Sequence, residues 1–247
     1  MPAPPPSPRT QVRRLPLRGA YDRETVHAIL DAGYLCHVAF VADAGHPVAL
    51  PTGYGRRGDH LLIHGSSASA MLRRLKDGGD STGLGHAGPQ PGRALSGSRG
   101  EATRGPAPGN VEMCCTVTHL DGVVLARSVF HHSMNYRSVV IFGRARAIEA
   151  DTEKLAALEV ITNHIVPGRW NEARLPTPQE LKGTVVLELP LAEASAKIRT
   201  GPPKDEEEDY DLPVWAGVVP ARLSYGAPEP DPRLNPAAAR LVPPRPR

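Results

Sequence analysis

The chain predicts a mainly β protein, an antiparallel barrel or sandwich with peripheral α-helices. Three observations carry this. About seven short runs rich in Val, Ile, Leu and Thr are separated by turn signals such as Asp43-Ala-Gly45, Arg56-Arg-Gly58 and Asp121-Gly122. Helical periodicity is confined to a few short segments. Strand–helix–strand alternation of the doubly wound kind is missing, as are the G-x-G-x-x-G and G-x-x-x-x-G-K patterns of nucleotide-binding turns.

Each element follows from local signals. Residues 1–20, rich in Pro and Arg, read as a disordered N-terminal arm. Asp22 caps a helix whose apolar residues Val26, Ile29 and Leu30 share one face, and Gly33 ends it. Two strands, 34–42 and 46–54, flank Asp43-Ala-Gly45, and a third covers 59–64. Ala68, Met71, Leu72 and Leu75 have i, i+3, i+4, i+7 spacing, which predicts a helix capped by Ser66 or Ser67. Residues 79–110, dominated by Gly, Pro, Ser, Ala and Arg, read as a disordered insert that adds nothing to a core. The Asp-Gly pair predicts a hairpin of strands 112–119 and 123–131. A strand over 136–148 follows, then a helix from Asp151 with Leu155, Leu158, Ile161 and Ile165 on one face, closing near Pro167-Gly168. A helical turn at 179–182 and strands 184–189 and 194–199 complete a domain spanning 21–222. Residues 223–247 read as a Pro-rich disordered tail.

Composition narrows the function. The 247 residues carry a formal charge of +3 with both signs interspersed, so no stripe suited to a nucleic-acid backbone stands out. The three cysteines, Cys36, Cys114 and Cys115, form neither a disulfide framework nor a zinc spacing and read as buried thiols in a reducing compartment. No run is long enough to span a bilayer, and the N-terminus lacks a hydrophobic signal core. The expectation is a cytoplasmic protein without membrane or nucleic-acid partners, organellar targeting being left open.

Three polar constellations stand out. His64-Gly-Ser-Ser-Ala-Ser69 joins a strand to a helix start, where free amides and the helix dipole can hold an anion, with Arg73 and Arg74 one turn on. The alternative is a plain serine cap. Tyr136-Arg137-Ser138 opens a strand, so that Arg137 could pair with a phosphate and Ser138 bond a ring carbonyl or nitrogen; a solvated strand end is the alternative. Ser195, Lys197 and Arg199 share one strand face. His131 and His132 are adjacent and point to opposite faces, and no Ser/His/Asp or Cys/His arrangement supports hydrolysis.

Taken together with Pro51-Thr-Gly-Tyr54, Cys115-Thr-Val-Thr118, Tyr136–Gly143 and Trp215-Ala-Gly-Val-Val-Pro220, these motifs resemble the pyridoxamine 5'-phosphate oxidase-like flavin-binding proteins, on the branch of the nitroimidazole-resistance proteins. The resemblance implies an antiparallel split β-barrel that forms a homodimer and binds FMN in grooves between subunits. It implies backbone contacts to the flavin from the strand containing Leu50, Pro51, Thr52 and Tyr54. His64, Gly65, Ser66 and Ser69 would surround the phosphate, while Arg137, Ser138, Lys197, Arg199 and Trp215 reach the cofactor or ligand side. Relatives often carry Lys or Arg where this chain has Ala70, and the oxidase's substrate-binding basic pattern is incomplete. The function expected is therefore an FMN-dependent oxidoreductase acting on a small organic molecule other than pyridoxamine phosphate. The alternative is a non-catalytic flavin- or haem-binding module with His64 or His132 as axial ligand.

Overall fold

A computed structural model describes residues 3–42, 44–77, 111–240 and 245–246. In chain order its elements are β1 (Gly19–Ala20), α1 (Arg23–Asp31), β2 (Leu35–Val41), β3 (Pro47–Arg57), β4 (His60–Ser66) and α2 (Ala70–Asp77). There follow β5 (Glu112–Leu125), β6 (Ser133–Arg144), β7 (Arg146–Ala147), α3 (Asp151–Ile165), α4 (Arg169–Glu172), α5 (Pro178–Lys182), β8 (Thr184–Pro190), β9 (Ala194–Arg199) and β10 (Gly217–Pro220). The expected insert 79–110 lies outside the described residues.

All ladders are antiparallel, in the order β1-β9-β6-β5-β2-β3-β4-β8-β7, with β10 beside β5. The chain passes from β6 to β7 through Ala145 alone. Strand β7 at one end of the path is therefore tethered to β6 near the other, and the sheet must curl. No ladder joins β6 to β7 among the described residues, so the barrel is split rather than closed.

Side-chain alternation sorts the core into two layers. On β4, Leu61 and Ile63 point into the barrel with Cys36, Val38, Tyr54, Met113, Cys115, Val139 and Ile141, while Leu62 points out. On β8, Val185, Leu187 and Leu189 point in and Val186 points out. Helices α1 and α2 cap the interior layer through Val26, Ile29, Leu30, Met71, Leu72 and Leu75. Helix α3 packs Ala157, Leu158 and Ile161 on the outer side against Leu62 and Val186. It lies so close that a Cβ on Gly55 would sit 2.8 Å from the Ile161 Cα, so this crossing requires glycine.

Most boundaries follow the sequence. The Asp22 side chain accepts from the Thr25 N–H and caps α1 as expected, and Thr177 with Glu180 forms a capping box on α5. Four expectations are corrected. The Asp-Gly pair makes no hairpin: β5 runs unbroken from Glu112 to Leu125, and Asp121 is the extra residue of a β-bulge, because Leu120 pairs with Tyr136 and Gly122 with Asn135. Both halves of β5 pair with the same neighbour, β6, which keeps the strand continuous through a turn signal. The run 136–148 is two strands, because β6 pairs with β5 and β9 whereas β7 pairs with β8. The helix cap on α2 is Ser69, whose Oγ faces the Leu72 N–H at 3.5 Å, rather than Ser66 or Ser67. Residues 16–20 do not hang free: they form a 3-10 turn and β1, paired with β9. Ahead of them Thr10 is buried, and Arg9 reaches both Glu112 and Glu193 with its guanidinium 5.2 Å from the Phe142 ring centroid. In the tail, the Tyr225 hydroxyl meets that of Tyr34 at 2.7 Å. None of the described helices is long and apolar enough to cross a membrane.

Candidate functional site

The split has a definite place. Strands β3 and β4 are laddered only from Tyr54/Ile63 to Arg57/His60. Beyond that, residues 47–53 of β3 pair with β2 alone, and His64–Ser66 of β4 pair with β8 alone. The two strands part, leaving one edge of β3 without a strand partner among the described residues. Leu50 and Pro51 are exposed there and Thr52 is half-buried. Across the opening stand His64 to Ser69 and the start of α2. The first expected constellation and the expected flavin strand are thus brought together.

Within the serine turn most groups bond one another. The Ser66 Oγ accepts from the Ala68 N–H at 3.1 Å, the Ser69 N–H donates to the Ser66 carbonyl at 2.9 Å, and the Ser67 N–H donates to the Gly183 carbonyl at 2.8 Å. What remains for an anion is the hydroxyl protons of Ser66 and Ser69 and the first amides of α2 at Ala70 and Met71. Gly65 serves packing: a Cβ there would meet the Leu72 Cδ1 at 2.8 Å, so its bareness admits the α2 side chain to the barrel. Arg73 is exposed, whereas Arg74 is buried. Tyr54 belongs to the core. It is fully buried, its hydroxyl donates to the Leu30 carbonyl at 2.6 Å, and burial pushes its pKa well above the ordinary phenol value.

His64 is the polar group with the least internal explanation. It shares the outer face of β4 with Leu62, opposite Val186, and its Nδ1 is buried without a hydrogen-bond partner among the described residues. Burial holds its pKa below the usual imidazole value, so the ring is neutral at physiological pH. The other axial candidate, His132, is exposed, and its Nδ1 accepts from the Ala126 N–H at 2.9 Å.

The remaining expected residues lie elsewhere. Register places Ser138 opposite Thr118 on β5 and Lys197 on β9, so one row crosses the outer face of the sheet. The Ser138 hydroxyl donates to the Lys197 carbonyl at 3.3 Å. Arg137 forms a two-pronged bond with the bulge residue Asp121 at 2.8 and 2.9 Å, and that pairing holds the Asp121 carboxyl below its ordinary pKa. Arg199 is buried and binds Asn135 and the carbonyls of Gly201 and Pro202, each at 3.3 Å for the two carbonyls. Trp215 is exposed and stacks its ring over Gly217. Asp121 and Asn135 are the partners that sequence reasoning missed. The only available signal was an Asp-Gly pair inside a run that could also be one long strand. Strand β6 is three strand steps from β3, about 14 Å at the usual spacing. Counted along the sheet within one chain, Arg137 lies three strands and Lys197 four strands from the edge that carries Leu50–Thr52.

An antiparallel split barrel with a polar, serine-lined opening beside an unpartnered strand edge defines the class. The family model described as pyridoxamine 5'-phosphate oxidase matches residues 22–82 and 94–198, leaving out 83–93. The chain belongs to the pyridoxamine 5'-phosphate oxidase family. Among solved structures it is similar to the flavocytochrome Anf3 from Azotobacter vinelandii, with 38% identity over 95% of this chain and 94% of that one and a TM-score of 0.78. It is also similar to the FAD and heme binding protein from Mycobacterium smegmatis, with 37% identity over 92% and 94% of the two chains and a TM-score of 0.74. The nitroimidazole-resistance likeness is met by a structure of that description from Bacteroides thetaiotaomicron, at 18% identity over 73% of this chain and 86% of that one, TM-score 0.48, which adds nothing to the assignment. No curated protein matches.

Proposed function

We propose that the chain is a homodimeric redox protein that binds a flavin in the opening between β3 and β4 and a haem through His64. The observation that carries the flavin reading is the parting of β3 from β4 after Tyr54 and Ile63, opposite the serine turn. Such an edge offers N–H and C=O groups to the polar rim of a planar ring, and Leu50, Pro51 and Thr52 carry them. The hydroxyls of Ser66 and Ser69 and the first amides of α2 suit a phosphate. Bound flavin supplies hydride and one-electron transfer, leaving the protein to bind, orient and exclude water. The substrate class that fits is a small organic molecule. FMN is the form implied by the family resemblance; FAD is favoured here, because the mycobacterial relative that binds it is 37% identical along nearly its whole length.

A buried, neutral imidazole nitrogen without a partner is what an iron ligand looks like before the metal is considered, and it supports the haem reading. The homodimer is supported by the outer face of the sheet, where Leu35, Leu120, Val123, Met134 and Val219 are exposed on strands that adjoin. A second copy across that face would bring its Lys197 and Trp215 toward the opening.

The test is a fluorescence-quenching titration of cofactor-free protein with FAD and with FMN. Saturable quenching, tighter for FAD and weakened at least about a hundredfold in a Ser66→Ala/Ser69→Ala double variant, is expected, since losing charged hydrogen bonds costs about 1.5–3 kcal/mol each. Absence of quenching by either flavin contradicts the reading.

A further inference from the structure

At the far end of β4 from the serine turn, about 20 Å away along the strand, lies a cavity of about 370 Å³ that takes no part in the function above. Its walls are the first turn of α1, the β3–β4 turn and the β8–β9 turn, with the N-terminal arm across one side. The volume falls in the range of small-ligand pockets. Its polar groups are unevenly satisfied. Both oxygens of Asp59 are engaged: Oδ2 accepts from the Arg23 Nη2 at 2.9 Å, and Oδ1 lies 3.1 Å from the His27 Nε2. The unused capacity is on the donor side. Arg23 is 80% exposed in its side chain, and its other N–H groups have no partner among the described residues. Tyr21 accepts the Val12 N–H at 2.8 Å and retains its own hydroxyl proton. Apolar surface from Val26 and Leu191 completes the wall.

A cavity whose one carboxylate is fully engaged and whose Arg23 and Tyr21 donors are spare selects an acceptor-rich ligand, and the apolar wall selects one with a hydrocarbon body. We infer that this cavity binds a small organic carboxylate, its charge on Arg23 beside Tyr21 and its body against Val26 and Leu191.

Benzoate and inorganic phosphate serve as probes, added to the purified, cofactor-loaded protein while the imidazole proton signals are followed by NMR. The His27 signal is assigned by its loss in His27→Gln, and exposed His46 on the β2–β3 turn is the control. The expected result is a saturable shift of His27 with benzoate, a much weaker response to phosphate, no movement of His46, and affinity reduced about tenfold in Arg23→Gln. Flavin content of Arg23→Gln stays unchanged, which separates this site from the opening between β3 and β4. A benzoate response that does not saturate, a phosphate response as strong as the benzoate one, or undiminished binding in Arg23→Gln overturns the inference.

Discussion

Polar residues in this chain divide by what their hydrogen bonds leave over. Tyr54 has nothing left: its hydroxyl closes the C-terminal turn of α1 on the Leu30 carbonyl. Tyr54→Phe should cost about 1–1.5 kcal/mol in urea denaturation, because it orphans a buried carbonyl, and should leave flavin affinity unchanged. Arg137 is similarly committed to Asp121 in a pair 37% and 31% exposed. Arg137→Ala should lower stability by at most about 1 kcal/mol and change flavin affinity in a titration by less than about threefold, since a surface pair is well screened. His64 is the opposite case. Its folded-state pKa is depressed by burial, so the unfolded chain binds the proton more readily. The stability it contributes is present above the unfolded value near 6.5 and is lost as pH falls below it. Protein lacking bound cofactor should therefore show a falling urea midpoint between about pH 7 and about pH 5, and His64→Gln should flatten that slope.

At the scale of elements, periodicity was legible where one face of a helix or strand is buried. The stripe Val26, Ile29, Leu30 and the stripe Met71, Leu72, Leu75 both enter the barrel interior. Bulge and break were not legible, because both are set by which strand lies alongside. Asp121-Gly122 carries a good turn signal, yet β6 on one side and β10 on the other pair through it, and Gly122 admits Val218 and Val219 where a Cβ would meet the Val218 Cγ1 at 2.9 Å. The candidate site was half legible for the same reason. Local motifs located the serine turn and the β3 edge, but the partners of Arg137 and Arg199 come from register, which no spacing reveals. Gly55→Ala tests the tightest contact between elements. Its new methyl would press on the Ile161 backbone rather than on a flexible side-chain end, so a loss of about 1–3 kcal/mol is expected in thermal or urea unfolding.

For the molecule as a whole, the arm and the split define the architecture. Pro and Arg carry no periodic pattern, so the sequence alone leaves the arm free. It is held instead by long-range ion pairs from Arg9 to Glu112 and Glu193 and by the short pairing of β1 with β9. Among the described residues the split places an unpartnered strand edge, a helix start and a neutral, half-buried imidazole with its Nδ1 buried on adjoining strands, and these three features support the proposed account of a flavin- and haem-binding protein. The absorption spectrum of the purified protein, supplied with haem and flavin during expression, tests that account most directly. It predicts flavin bands together with a Soret band, the Soret band alone being lost in His64→Ala. A protein that shows neither band, or a His64→Ala variant that keeps its Soret band intact, contradicts it.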